Sequence, residues 1–550
     1  MTEILTTKYK TDLLRLFYND LASNEFYVFV SSLTTDPTSR VSAANTKVSE
    51  IQFLDNVLFG KKILTSDTKF MIKYYPWQEG QVFVQYDDNT DLEDQKFFAT
   101  VGPNVNDTGD YRIYKCLNNN NGAKVTSPPP FVASDANQIY ETADGYVWKY
   151  MFALTQSDFE AYNAIGYIPI GGAFEVDPVA SNPSNFTGSV VDQILITNIE
   201  ANQGYFSVTG MNVAEAPDNA GLIICDDNSL SEIANYYAGM TLYVTDGNGV
   251  SYVRRITSYN YNSIDETGEF TVVLDTDNPR LPGAAKNGTA AVYPRIEVTG
   301  DGTGATAIPV INNNGTITKI RMINAGSDYT RASAEIIDPL YDFDPESEAS
   351  IEVRATLRPI LSPRGGHGSN PVDEFKCKHI LLYGYVTEAD NNAIGATGSY
   401  SQLGIIKDPE FDAILYPTDG PNIFDNRLAI VTNDIAKAVS AGTVLQQIDV
   451  NNEVIFSATV HELDYSANTI YLDGYMGPYA NQPGSDIALS ELYPLTTPTG
   501  QTININTPVA DNITESAYKQ RTGEVYFMED LFPLTRNNSS REEYKLVLEF

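Results

Sequence analysis

The residues best suited to chemistry in this 550-residue chain lie at 365–369, Gly365-Gly366-His367-Gly368-Ser369. A glycine-flanked histidine can be presented to a substrate and titrates near neutral pH, and Asp373 or Glu374 shortly after it could orient the ring. The chain has three histidines, His367, His379 and His461. None stands in a G-x-S-x-G, H-E-x-x-H or Cys–His pattern. The loop therefore reads as structural or interfacial. Replacing His367 with Ala is expected to leave the fold nearly unchanged.

Other candidates weaken for stated reasons. Gly300–Ala307 is glycine-rich, but no G-K-[ST] follows and no helix begins after it, so strand–turn–strand is the reading. Two acidic runs, Asp87-Asp88-Asn89-Thr90-Asp91 and Asp342-Phe343-Asp344-Pro345-Glu346, lack the central Gly and terminal Glu of a twelve-residue calcium loop. They read as solvated turns, with Ca²⁺ held by scattered carbonyls left open. Cys116, Cys225 and Cys377 are far apart and odd in number, without C-x-x-C spacing, which suits three reduced, buried thiols. No residue is assigned a catalytic, cofactor-binding or metal-binding role, and the chain reads as a non-enzyme.

Charge excludes one large class of partner. Against 71 acids stand 35 bases, a net charge of −36, and a field of that sign repels phosphate backbones. Nucleic-acid binding is not expected. The start of the chain has no basic-then-apolar layout and no apolar run reaches 18 residues, so neither a signal peptide nor membrane insertion is expected. Hydrophobic content of 42 % with 19 % charged residues suits a folded protein. Tyrosine is abundant at 35 against 2 tryptophans, which fits sheet surfaces and assembly interfaces as well as ordinary strands. This length implies two to four domains.

The elements that must hold these residues are mostly strands. Residues 7–22 repeat Tyr9, Leu13, Leu16, Phe17 and Leu21 at helical spacing, and 46–59 carries a weaker helical pattern. Strands are expected at 25–31, 69–75, 81–86, 111–117 and 146–154, with a short helix to Tyr162 capped near 155–158. From about residue 172 glycine-punctuated strands dominate, including a hairpin of 241–245 with 250–257 and a strand at 270–274. One stretch echoes another: Val191, Ile194, Ile196 and Asn198 align with Ile317, Ile320, Met322 and Asn324, each followed by Gly and Tyr (Gly204-Tyr205; Gly326, Tyr329). Two copies fall short of a solenoid. Further strands are expected at 377–386, 402–406, 429–432, 454–460, 469–473, 524–529 and 544–550, with an extended connector at 478–502. In the last strand Leu546, Leu548 and Phe550 alternate as an inward face.

Four stretches in one order carry a resemblance: Tyr111-Arg112-Ile113-Tyr114-Lys115-Cys116-Leu117, Asp144-Gly145-Tyr146-Val147-Trp148-Lys149-Tyr150-Met151-Phe152, Thr522–Glu529 and Glu543–Phe550. Together with the helix-then-strand opening, Thr6 to Ser32, they resemble the gene-eight baseplate wedge subunits of T-even-type contractile-tailed bacteriophages. The likeness covers roughly 1–170 and 500–550, with a weaker stretch near 400–415. It implies a virion structural protein, assembled in the host cytoplasm into the tail baseplate. It further implies a homodimer that packs with other wedge proteins and helps transmit the contraction trigger, with no cofactor.

The expected fold class is mainly β and multidomain, with β-sandwich-like modules and a few short helices. The expected division is a discontinuous core of 1–172 plus 506–550, an inserted β-rich region at 173–360, and a further β-rich region with Pro/Gly connectors at 361–505. A glycan-binding or glycan-cleaving tail module and a generic β-rich adhesin are the competing functions. A hydrolase would require two carboxylates about 5–10 Å apart in a cleft.

Overall fold

The computed structural model describes residues 6–31, 46–103, 109–131, 139–164, 166–171, 189–198, 205, 207–216, 221–227, 229–246, 250–273, 287–338, 355–387, 390, 398–413, 416–437, 440–476, 489, 492–507, 510–514, 516–536 and 541–550. It is mainly β, with strands arranged in several separate sheets. Two compact units divide the chain. Unit 1 takes 1–73, 157–170 and 377–550, and unit 2 takes 74–156 and 171–376. These limits differ from the expected ones. Residues 74–156, which carry two of the four family-like stretches, fall in unit 2, while 377–505 join the chain ends in unit 1.

In unit 1 the strand Phe26–Ser31 lies at the centre of a five-stranded antiparallel sheet, ordered Ile423–Asp425, Val57–Lys62, Phe26–Ser31, Gly398–Lys407, Glu524–Arg536. All six residues of the central strand are buried, so both faces are covered and its near-continuous run of aromatics and valines has a physical reason. The helix Thr7–Ser23 is capped by Thr6, whose Oγ1 accepts from the Tyr9 amide at 3.3 Å. It buries Leu14, Phe17 and Leu21, and Phe17 meets Phe26 edge-on. The second helix stops at Asp55, and residues 57–59, expected to end it, begin the strand Val57–Lys62.

A second sheet orders Glu542–Glu549, His379–Val386, Thr68–Lys73 and Tyr167–Pro169, and a third of seven strands spans Leu428 to Thr514. Leu495–Thr496 and Thr502–Ile503, expected within an extended connector, are short strands of that third sheet. The strand Glu542–Glu549 sits at a sheet edge, with Leu546, Val547 and Leu548 all half-buried, so no single inward face forms. The expected alternation assumed one covered face, and an edge strand shields both faces only in part.

Unit 2 contains a four-stranded sheet, Phe98–Val101, Tyr111–Asn118, Val147–Leu154 and Ile139–Glu141. It also contains a closed six-stranded barrel between Val208 and Tyr293 and a sheet ordered Arg295–Gly300, Ala332–Ile337, Leu357–Leu361, Val191–Ile196. The barrel interior is filled by Met211, Val213, Ile223, Leu242, Ile256, Phe270 and Val292, so it is a packed core. Around Gly300–Ala307 the strand Arg295–Gly300 ends, Asp301 and Gly302 bend, and the strand Thr303–Ile311 follows, pairing in turn with Ile317–Ser327. The two echoing stretches meet in one small core: Val191 and Ile194 pack with Ile317 and Ile320, and with both Tyr205 and Tyr329. Residues 81–86, expected as a strand, are extended but form no ladder. Val84 donates to the Lys96 carbonyl and Tyr86 to that of Cys116, single bonds to separate partners. No described helix is long and apolar enough to cross a membrane.

Gly60 shows how tightly the central sheet of unit 1 is set. It pairs with Phe29 on one side and Phe424 on the other, and the two rings meet at 5.3 Å over its bare Cα. A Cβ there would lie 2.5 Å from Phe29 Cδ1 and 2.6 Å from Phe424 Cε1. Gly60→Ala is expected to cost about 1–3 kcal/mol through overpacking. A lower thermal midpoint by circular dichroism is the expected readout, and an unchanged midpoint would show that the rings yield freely.

Candidate functional site

His367 does not hang in an open loop. Its loop, 362–370, starts where the Ser362 amide donates to the Val190 carbonyl and the Val190 amide donates to Ser362 Oγ. It ends at Asn370, whose Oδ1 accepts from the Asp373 amide and caps the short helix Pro371–Glu374. Gly365, Gly366 and Gly368 have φ of +86°, +86° and +87°, a left-handed backbone that favours glycine at these positions. That path turns the imidazole inward, where its side chain is 4 % exposed.

Four groups meet the ring. His367 Nε2 bonds to Asp192 of the strand Val191–Ile196, and Nδ1 lies 3.0 Å from Lys115 Nζ. Lys115 Nζ also reaches Glu374 Oε2 at 3.0 Å and sits 3.8 Å from the centre of the Tyr86 ring, a cation–π contact. Tyr86 meets the imidazole edge-on and donates its hydroxyl to the Leu361 carbonyl. Glu374 Oε1 accepts from the Gly368 amide at 2.7 Å. The side chains of Lys115 and Glu374 are 0 % and 2 % exposed.

Burial is the strongest influence on Lys115 and pulls its pKa below the usual lysine value, against the attraction of Glu374. Burial also works against the charge on Glu374, but Lys115 and, after it, the neighbouring His367 outweigh it and hold the carboxyl at about 2. Glu374 is therefore ionised near neutral pH, and its carboxylate lies 3.0 Å from Lys115 Nζ. Each charge has a partner and further hydrogen bonds, which a buried ion pair requires.

A second ion pair reinforces the same region. Arg358 forks onto Asp87 at 3.0 and 2.5 Å, with Asp88 at 3.5 Å, and Asp88 accepts from the Leu361 amide. The acidic run at 87–91 is thus occupied in part by a guanidinium, and is not an open turn awaiting a cation. Residues 342–346 lie outside the described residues. Among the described residues no group of three or more His, Cys, Asp or Glu is disposed to hold a metal ion. Cys116, Cys225 and Cys377 form no disulfide and are buried, and burial raises the thiol pKa of Cys116 and of Cys225.

Of the carboxylates offered for His367, Glu374 joins the cluster and Asp373 does not. Asp373 bonds to the Asn370 side chain instead. Lys115, Asp192 and Tyr86 were not singled out by sequence. The available signal was a lysine between Tyr114 and Cys116 inside an apolar strand, where a buried cation demands a buried anion. In the loop Ser369 Oγ hydrogen-bonds the Gly366 carbonyl at 2.8 Å and lies 3.1 Å from that of Arg364. It is engaged in shaping the loop. A His–Asp pair beside an amine has the parts of a proton relay, but side chains this enclosed offer no surface to a substrate. The arrangement works as a clasp between segments of unit 2.

The run from Asp144 to Tyr150 also works inside the fold. Asp144 accepts from the Thr126, Ser127 and Tyr146 amides, and Gly145 turns at φ +79° beside Asn120. Tyr146 and Trp148 are fully buried and stacked, and Tyr146 Oη bonds to the Ala123 carbonyl. No family model matches the chain, and no curated protein matches it.

Because Glu374 sits at about 2 against an ordinary 4.5, its share of stability is complete above pH 4.5 and is lost as pH falls from 4.5 to 2. Both tryptophans, Trp77 and Trp148, lie in one core of unit 2, so their fluorescence reports that unit alone. Lys115→Met is expected to cost about 3–5 kcal/mol by stranding Glu374. Glu374→Gln should be less stable at pH 6 and should lack the acid step. Fluorescence-monitored urea unfolding at several pH values checks both, and a parent-like acid profile in Glu374→Gln would contradict the assignment.

Proposed function

We propose that this chain is a structural subunit of a contractile phage tail, a baseplate wedge component acting through packing and geometry. The observation that carries the reading is the run Asp144-Gly145-Tyr146-Val147-Trp148-Lys149-Tyr150, which resembles the wedge-subunit family together with three other stretches in the same order. Three features support it. The fold is mainly β in several modules. The opening strand Phe26–Ser31 and the late strand Glu524–Arg536 flank the same strand, Gly398–Lys407, so the first and last family-like stretches share one unit. The most chemistry-like residues, around His367, are enclosed and fully engaged, as expected of a part that bears load.

On this reading the subunit pairs with itself and with other wedge proteins through large interfaces. Those interfaces hold in one baseplate state and rearrange in another. It requires no cofactor and no catalytic residue.

Imaging of virions with this subunit tagged tests the proposal. Density for the tag at the tail baseplate, with a purified mass of twice the chain, is expected. Tag density confined to the head or fibre tips would overturn it, as would turnover of a surface glycan by the purified protein.

A further inference from the structure

We propose that His367 is a proton-operated pin. Taking up a second ring proton would part it from Lys115 and let the 362–370 loop swing away from the strand Tyr111–Asn118.

The geometry assigns the resting proton. Nε2 faces the Asp192 carboxylate and so donates to it, while Nδ1 faces an ammonium at 3.0 Å and so must accept. A proton added at Nδ1 would set two donors against each other at that distance. The nearest acceptor for it is Glu374 Oε2 at 3.6 Å, the same oxygen that Lys115 already holds at 3.0 Å. The other carboxylate oxygen is taken by the Gly368 amide at 2.7 Å, with the Asn370 amide at 3.4 Å. Two cations would compete for one oxygen.

The loop is the side that yields. Lys115 stands on an inner strand, paired with Phe98 on one side and Lys149 on the other, and its side chain is fully enclosed. His367 stands between glycines in the left-handed region, and a Cβ added at Gly366 or Gly368 would meet nothing within 4 Å. Open space thus lies beside Gly366 and Gly368, and the loop backbone is held there by Ser369 Oγ on the Gly366 carbonyl and by Glu374 on the Gly368 amide.

The charged and titratable groups facing the ring come from four elements: Asp192, Lys115, Glu374, and Tyr86 from the extended stretch before Phe98–Val101. Behind Tyr86 stand Asp87 and Asp88 with Arg358, and Lys376 repels Lys115. None of these offers Nδ1–H an acceptor closer than Glu374.

Hydrogen–deuterium exchange of the full chain at pH 7.5 and 5.5, corrected for intrinsic exchange rates, tests the pin. Protection of peptides covering 362–370 is expected to fall at least tenfold at pH 5.5, with the barrel peptides unchanged. His367→Gln and Lys115→Met should each flatten that dependence, and His461→Gln should keep it. Equal protection at both pH values in the parent chain would overturn the proposal, whatever the variants do. So would a fall shared by all of unit 2, or one that persists in His367→Gln.

Discussion

A single fully buried ammonium ties the segments of unit 2 together. Lys115 is wholly enclosed on an inner strand, and an unpaired charge there would cost several kcal/mol. Its charge is met by Glu374, its remaining donor capacity by His367, and its flank by the Tyr86 ring. Those partners come from stretches of chain far apart in sequence, and Lys115 and Glu374 are 259 residues apart. Satisfying one cation thus requires the strand Tyr111–Asn118, the strand Val191–Ile196 and the 362–374 segment to be in place together. Such a cluster adds little net stability over an apolar core, but it penalises every arrangement in which one member is missing.

The residues that carry the family resemblance have internal duties of the same kind. Asp144 closes a turn with backbone amides, Gly145 supplies its left-handed residue, and Tyr146 with Trp148 fills the core beneath. Lys115, within another of those stretches, is the centre of the clasp.

Elements with a clear local period were legible in the sequence. The helix Thr7–Ser23, the hairpin of Thr241–Thr245 with Ser251–Asn262 and the strand–turn–strand around Gly302 form where expected, although the helix buries Leu14, Phe17 and Leu21 and leaves Tyr9 and Leu16 exposed. Short apolar runs were not. Val57–Lys62 reads equally as helix or strand, and what decides is the pairing of Gly60 between two aromatic rings from strands distant in sequence. Residues 81–86 alternate like a strand, yet their backbone bonds go to scattered partners. The division between units was hidden because the chain crosses between them several times. The clasp was half legible: His367 and Glu374 stood out, but as parts of an exposed loop. Neither Lys115 nor Asp192 could be joined to them, since pairing across 175 to 259 residues leaves no periodic trace. His367→Ala, expected from sequence to be silent, should instead disturb the clasp.

The central claim is that Lys115 and Glu374 act as one buried structural unit. A double-mutant cycle of Lys115→Met and Glu374→Leu measures it most directly, with urea unfolding followed by the fluorescence of Trp77 and Trp148. The account predicts that the double variant is more stable than either single one, with a coupling of about 2 kcal/mol or more. Additive losses, with coupling below about 0.5 kcal/mol, would contradict it.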